Sequence, residues 1–327
     1  MKNILSLLVV VFLIGGCSKE NGVETDWEKH NLKGKVKSIK ESEIGDIDEG
    51  YSVNENKIYK YNNKGNLIEE ASYESDGDLF WKTTYHFDKN GNKVERNYIS
   101  PNGSIGVDKY GKKIVPASNK PNGSLVFKYI YKYDNNGNKV EEAKYKPDGS
   151  LMEKTTFKYD KNDEITNVYT YDPFEKQIYK TSYQKKYYSN GIQKEKSLYN
   201  ASGELKATYK YDDNGNETEE AIYNSDGSLS YKHIYKYDNN GNKIEFAFYR
   251  KSNDSLTLEV KETYKYDYKG NLTESTVYNL GHSLSSKYNF EYEYDSKGNW
   301  TKWVSFKNKN EITKYSLTKE RKIEYYD

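Results

Sequence analysis

The chain has 327 residues, with 51 Lys plus Arg against 50 Asp plus Glu and a formal net charge of +1. That balance creates no net field to gather nucleic acid or an anionic membrane surface, so nucleic-acid binding is disfavoured. Tyrosine numbers 36, whereas Leu, Ile, Val and Phe together are only about one residue in six, below the share that fills a thick aliphatic core; the expected fold is thin and lined by tyrosines whose hydroxyls stay wet or hydrogen-bonded.

Residues 1–16 carry one lysine, an apolar run from Ile4 to Ile14, and Gly15-Gly16 directly before Cys17. The run is about eleven residues, against the roughly 20 needed to cross a bilayer, and the pattern is that of a cleaved secretory signal. Leu13-Ile14-Gly15-Gly16-Cys17 resembles the bacterial lipobox, in which the cysteine is lipidated and becomes the new N-terminus. Cys17 is the only cysteine, so an intrachain disulfide is ruled out and lipidation gives that cysteine a use. Several acyl chains on one residue hold a protein stably on a membrane. Ser18 at the next position resembles lipoproteins sent to the outer membrane, whether facing the periplasm or the cell surface.

Residues 17–31 read as a polar tether, with Trp27 its first packing residue, and 32–327 as a single repeat domain. Folding is expected to begin with an alternating strand at 32–40, and the acidic stretch 44–55 is expected to be a loop.

The repeats then begin, in register on the turn glycines Gly65, Gly91, Gly137, Gly191, Gly215, Gly241, Gly270 and Gly298, with Asp163 in the glycine position of one copy. Four residues before each lies Tyr61, Phe87, Tyr133, Tyr159, Tyr187, Tyr211, Tyr237, Tyr266 or Tyr294. Two residues earlier stands a second aromatic, such as Tyr131, Tyr264 or Tyr292, replaced by Lys185 in one copy. Alternating Tyr and Lys give the period of a strand, and Asp-Asn-Asn-Gly is turn chemistry. A second turn follows in most copies, as Ser75-Asp76-Gly77 or Pro147-Asp148-Gly149. Each unit is thus two antiparallel strands and two turns.

If Asn135-Asn136-Gly137 is a simple three-residue loop, Tyr133 faces Lys139, Tyr131 faces Glu141 and Tyr129 faces Ala143. Tyrosines and alanine would then share the inner face, with Lys and Glu on the wet one. The expected fold is all-β: an antiparallel meander of about nine to ten hairpin units of about 26 residues, forming an extended, curved or coiled sheet.

The Tyr-Lys-Tyr-Asp-x-x-Gly-Asn units resemble the YD repeats of Rhs and teneurin-type proteins over roughly Tyr59 to Trp300. That resemblance implies long antiparallel sheets that wrap into shells. The period here is longer, Asn or Lys replaces the usual arginine after the glycine, and the chain shows no toxin domain. Gly298-Asn299-Trp300 near the end resembles the last unit of short repeat lipoproteins from bacteria with two membranes.

Chemistry-bearing constellations are sparse. His30, His86, His233 and His282 lack ligand spacing, so no metal is expected. Asp134-Asn135-Asn136-Gly137 offers too few ligands for calcium. Adjacent glutamates such as Glu69-Glu70, Glu141-Glu142 and Glu219-Glu220 point to opposite faces and cannot flank one bond. The expectation is a non-enzymatic, cofactor-free, lipid-anchored envelope protein that binds a glycan or another envelope protein through aromatic surface. Trp300, Trp303, Tyr292, Tyr294, Tyr264 and Tyr266 are the candidate binding residues. The alternative is a structural or protective envelope protein, for instance one that neutralises a toxin, with no small-molecule ligand. Binding residues are sought where a copy breaks the pattern, as at Asp163, Lys185 or Trp300.

Overall fold

A computed structural model describes residues 25–48, 51–101, 123–252, 255–279, 283–309 and 312–327, without the side chains of 46–55 and 308–316. The leader and Cys17 lie outside these residues. After a four-residue helix α1 (Asp26–Lys29) come β1 (Val36–Asp48), β2 (Tyr51–Tyr61), β3 (Leu67–Tyr73), β4 (Leu79–Phe87) and β5 (Lys93–Ser100). Then follow β6 (Ser124–Tyr133), β7 (Lys139–Tyr145), β8 (Leu151–Tyr159), β9 (Ile165–Tyr171) and β10 (Gln177–Tyr187). The next five are β11 (Gln193–Tyr199), β12 (Leu205–Tyr211), β13 (Glu217–Tyr223), β14 (Leu229–Tyr237) and β15 (Lys243–Ser252). Last are β16 (Ser255–Tyr266), β17 (Leu272–Asn279), β18 (Leu284–Tyr294), β19 (Trp300–Lys309) and β20 (Ile312–Tyr325).

The turn between β6 and β7 shows what the repeat encodes. Asp134 Oδ1 accepts from the backbone N–H groups of Asn136 and Asn138, at 2.9 and 2.8 Å. Gly137 donates to the Asp134 carbonyl at 3.2 Å and holds φ +87°, a left-handed value that glycine adopts without steric cost. All eight turn glycines lie between φ 82° and 88°, and Asp163 reaches φ 59° in its copy. The tyrosine before the turn ties neighbouring units together. Tyr133 Oη donates to the Lys93 carbonyl, Tyr159 to Lys139, Tyr237 to Glu217 and Tyr266 to Lys243, each at 2.8 Å.

Beyond the turn the register departs from the expected one. Tyr133 does face Lys139, but Tyr131 faces Glu142 rather than Glu141, and Tyr129 faces Lys144 rather than Ala143. Val140 is an extra residue, a β-bulge, so every later pair shifts by one. Ala143 consequently lies opposite Ile130 and on the face away from Tyr131. The same shift follows the second turn, where Tyr145 faces Leu151 but Lys144 faces Glu153.

Repeated bulges change the global outcome. Each adds right-handed twist and bends its strand, and the bend accumulates until β20 pairs with β1, Ser38 opposite Glu324 through Gly45 opposite Leu317. The sheet is therefore a closed antiparallel barrel of 20 strands, not the extended, curved or coiled sheet expected. Closure also removes the exposed edges that such a sheet would have had to protect. The stretch 44–55, expected to be a loop, is instead the β1–β2 hairpin, with Ile44 opposite Asn54.

Among the described residues only 12 hydrophobic side chains are buried, and Ala71, Ala143, Ala207, Ala221 and Ala247 are five of them. A wall of 20 strands spaced about 4.8 Å apart is roughly 95 Å around, so the interior is lined rather than filled. Among the described residues one buried hydrophobic cluster, Val36, Ile39, Tyr61 and Leu67, lies beside the closure, with Trp27 and Ile323 packed on it. Within the stretch read as tether, α1 docks here. Thr25 caps it in a capping box, Trp27 donates from N to the Gly65 carbonyl at 3.1 Å, and its indole Nε1 donates to the Val36 carbonyl at 2.8 Å.

Candidate functional site

The two faces of the wall differ sharply. Outward residues include three parallel triads written by the repeat: Lys210–Glu219–Lys232, Lys236–Glu245–Lys261 and Lys265–Glu274–Lys287, with N–O distances of 2.6–3.0 Å. This is the Lys/Glu-rich wet face expected of the sequence. The adjacent glutamates point to opposite faces as expected, but the bulge exchanges them: Glu141, expected inward opposite Tyr131, pairs outward with Lys132, and Glu142, expected on the wet face, pairs inward with Lys139, both at 2.7 Å.

The inward face carries aromatics and a different set of charges. Because of the bulge, the residues two and five positions after each turn glycine both point inward. Lys139 and Glu142 meet across this spacing, which in a regular strand would place them on opposite faces. The same spacing brings Trp300, opposite Tyr294, and Trp303, opposite Tyr292, to one face. At the closure Arg321 lies 3.4 Å from the Trp300 ring centroid and Lys319 5.6 Å from that of Trp303. Arg321 Nε donates to Glu41 Oε2 at 2.7 Å, and Lys319 pairs with Glu43 at 2.7 Å.

All six candidate aromatics therefore share the lumen face, but not one cluster. Trp300, Trp303, Tyr292 and Tyr294 form a patch on β18 and β19. Tyr264 and Tyr266 stand on β16, with β17 between. Tyr264 Oη donates to Glu262 Oε2 at 2.6 Å; burial raises its pKa well above the ordinary tyrosine value. Burial likewise holds Tyr292 and Tyr266 up to about 12. Lys185, where the pattern breaks, is an inward residue paired with Glu164. Asp163 lies at the turn rim and accepts from the side chains of Asn136 and Asn138.

Sequence reasoning missed the inward charges, because their spacing is visible only once the bulge is known. Lys93 and Arg96 of β5 occupy the two inward positions of one unit. Burial lowers the Lys93 pKa, its Nζ lies 4.2 Å from the Tyr85 ring centroid, and Arg96 stacks 4.2 Å from that of Tyr129. With Tyr131, Tyr133, Lys139 and Glu142 they line a cavity of about 490 Å³ beside α1. On β13, Glu217 and Glu220 fill the equivalent positions. Burial, then the charge of Glu220, raises the Glu217 pKa, and Glu220 Oε2 lies 2.8 Å from His233 Nδ1. Among the described residues no group of three His, Cys, Asp or Glu side chains is placed to hold a metal. His282 lies outside them.

No family model and no curated protein matches the chain. Among solved structures it is similar to a porin-like protein from Bacteroides uniformis, with TM-score 0.38 and 9% identity over 89% of this chain and 99% of that one. A porin-like protein from Bacteroides vulgatus gives TM-score 0.23 and 10% identity over 89% and 98%. TcdB2-TccC3 without its hypervariable C-terminal region gives TM-score 0.38 and 13% identity; the match covers 80% of this chain and 14% of that one.

Proposed function

We propose that this chain is a non-enzymatic, lipid-anchored envelope protein of the YD-repeat kind whose barrel binds a saccharide on its inner wall. The observation that carries the reading is the inward placement of Trp300, Trp303, Tyr292, Tyr294, Tyr264 and Tyr266. Aromatic faces on a concave wall suit a small ligand or an extended glycan, which stacks on rings and takes hydrogen bonds from their hydroxyls. A flat protein partner would require such rings on the outside.

Lipidation at Cys17, rather than the wall itself, supplies the membrane attachment in this reading. The outer face bears lysine–glutamate triads that each run across three neighbouring strands, and β3, β7, β9, β11, β12 and β13 have only 7 residues each. A lipid-embedded barrel needs strands of about 9–11 residues and an outward apolar band, where each lysine near the midplane costs about 2–4 kcal/mol. The barrel is accordingly read as water-exposed and tethered at the outer membrane.

The soluble chain from Ser18 onward, applied to a broad glycan array, is expected to bind, and Trp303→Ala to weaken that binding. A blank array from a protein with an intact β-rich circular-dichroism spectrum refutes the saccharide reading and favours the structural or protective one. Cys17→Ala is expected to abolish acyl labelling and membrane partition; unchanged partition refutes the anchor.

A further inference from the structure

The cavity beside α1 has a lining of net positive charge, with Lys29, Lys93, Arg96 and Lys139 against Asp26 and Glu142. Its charged lining divides into two classes. Glu142 is held by Lys139 at 2.7 Å. Asp26 is held by Lys29 at 3.5 Å and accepts from the backbone N–H of Leu67 at 2.7 Å. Lys93 and Arg96 have no ion-pair partner among the described residues, and both sit against tyrosine faces. Tyr131 and Tyr133 stand on the adjoining strand and line the same cavity; the Tyr131 ring is offset-stacked on Tyr129, centroids 6.3 Å apart, and Lys139 Nζ lies 5.5 Å from its centroid.

We infer that this cavity binds an acidic saccharide, with Arg96 and Lys93 holding the carboxylate of a uronic acid and Tyr131 stacking on its ring. Three features select this class. The guanidinium offers a planar fork that matches a carboxylate in bidentate fashion, and Tyr129 behind it fixes its plane. The ammonium of Lys93 sits partly out of water, so an arriving anion replaces lost hydration rather than competing with it. About 490 Å³ lies in the range of ordinary small-ligand sites. Neutral sugars use the ring faces but leave both cations unpaired. Inorganic anions use the cations but leave the ring faces empty.

This inference rests on the reading of the inner wall as a saccharide-binding surface and narrows it to one place and one ligand chemistry. The test uses the soluble chain from Ser18 onward and isothermal titration with a hyaluronan disaccharide, glucuronic acid linked to N-acetylglucosamine. N-acetyllactosamine serves as the neutral counterpart and inorganic sulfate as the bare anion. The acidic disaccharide is expected to bind at least about tenfold more tightly than either, the ratio that one well-made charged hydrogen-bond pair supports. Arg96→Gln should weaken it by at least about tenfold, Arg96→Lys by less, and Lys93→Gln with Arg96→Gln should abolish it. The outward Lys236→Gln should leave it unchanged. Each variant is first shown to keep the wild-type circular-dichroism spectrum and melting temperature; Arg96→Lys, which keeps the charge and the aliphatic stem but not the planar fork, serves if Arg96→Gln does not fold, and an affinity equal to the unaltered chain's then overturns the inference. Equal affinity for the neutral disaccharide, equal affinity for sulfate, or binding that survives loss of both cations overturns the inference. If the acidic disaccharide fails while a neutral glycan binds on the array in a Trp303-dependent way, this site is refuted and the wider reading stands; if both fail, both are refuted.

Discussion

β1 and β20 close the barrel through backbone pairing over nine positions, and the Arg321–Glu41 pair is the most enclosed ion pair at the junction among the described residues. Glu41 is 7% exposed and Arg321 17% exposed, with Nε–Oε2 at 2.7 Å and the guanidinium over Trp300. Replacing Arg321 by Met keeps the volume and removes the charge, leaving an enclosed carboxylate. Removing one partner of a buried pair costs about 3–5 kcal/mol. Lys57 lies opposite Glu41 on β2 and offsets part of the orphaned charge, so the lower end, about 3 kcal/mol, is expected. For a domain of this size that is a fall of about 5 °C in melting temperature. Urea unfolding of the soluble chain measures it, and Glu41→Gln in the Arg321→Met background should recover about 1–2 kcal/mol, because the enclosed charge is then gone. A loss under about 1 kcal/mol, or strict additivity of the two changes, would refute the claim that this pair secures the closure.

Other outcomes follow from the repeat chemistry. Tyr133→Phe removes the 2.8 Å bond to the Lys93 carbonyl and should cost about 1 kcal/mol in urea unfolding; Tyr266→Phe should cost the same, and the two should add. Gly65→Ala should destabilise more than Gly137→Ala. Both glycines hold φ +87°, but a Cβ at 65 would lie 2.7 Å from the Trp27 ring, whereas one at 137 meets nothing within 4 Å. The strain common to both is about 1–2 kcal/mol, and only Gly65→Ala should also shift tryptophan fluorescence as α1 is displaced. Alkaline pH should unfold the barrel between about pH 10 and 12. Tyr85, Tyr131, Tyr211, Tyr237, Tyr266, Tyr292, Tyr294 and Tyr325 are raised from 10.0 to about 12, chiefly by burial. Their neutral forms are favoured in the fold, so that stability is fully present below pH 10 and is lost as pH rises through the folded values. Lys93, Lys196 and Lys243, lowered by burial, act in the opposite sense over the approach to the ordinary lysine value, but the tyrosines outnumber them. A circular-dichroism spectrum that stays native to well above pH 12 would contradict this.

Local chemistry was legible in the chain and global geometry was not. Tyrosine–lysine alternation and the Asp-x-x-Gly turns specify strands and hairpins because both act over a few neighbouring residues. For the same reason the turn glycines, the Asp134–Gly137 turns and the presence of a wet Lys/Glu face are read directly from spacing, whereas which of Glu141 and Glu142 faces outward is not. The bulge after each turn is hidden: Val140 looks like any other strand residue, and nothing nearby marks it as unpaired. Yet that one residue sends alanine outward and tyrosine inward, brings Trp300 and Trp303 to one face, and sets Lys93 beside Arg96. Summed over the repeats it also bends the sheet until β20 meets β1, where Arg321 finds Glu41 across 280 residues of chain. Such pairing is a property of accumulated twist, which no window of sequence contains, so only the tertiary structure decided that the sheet closes and what lines its interior.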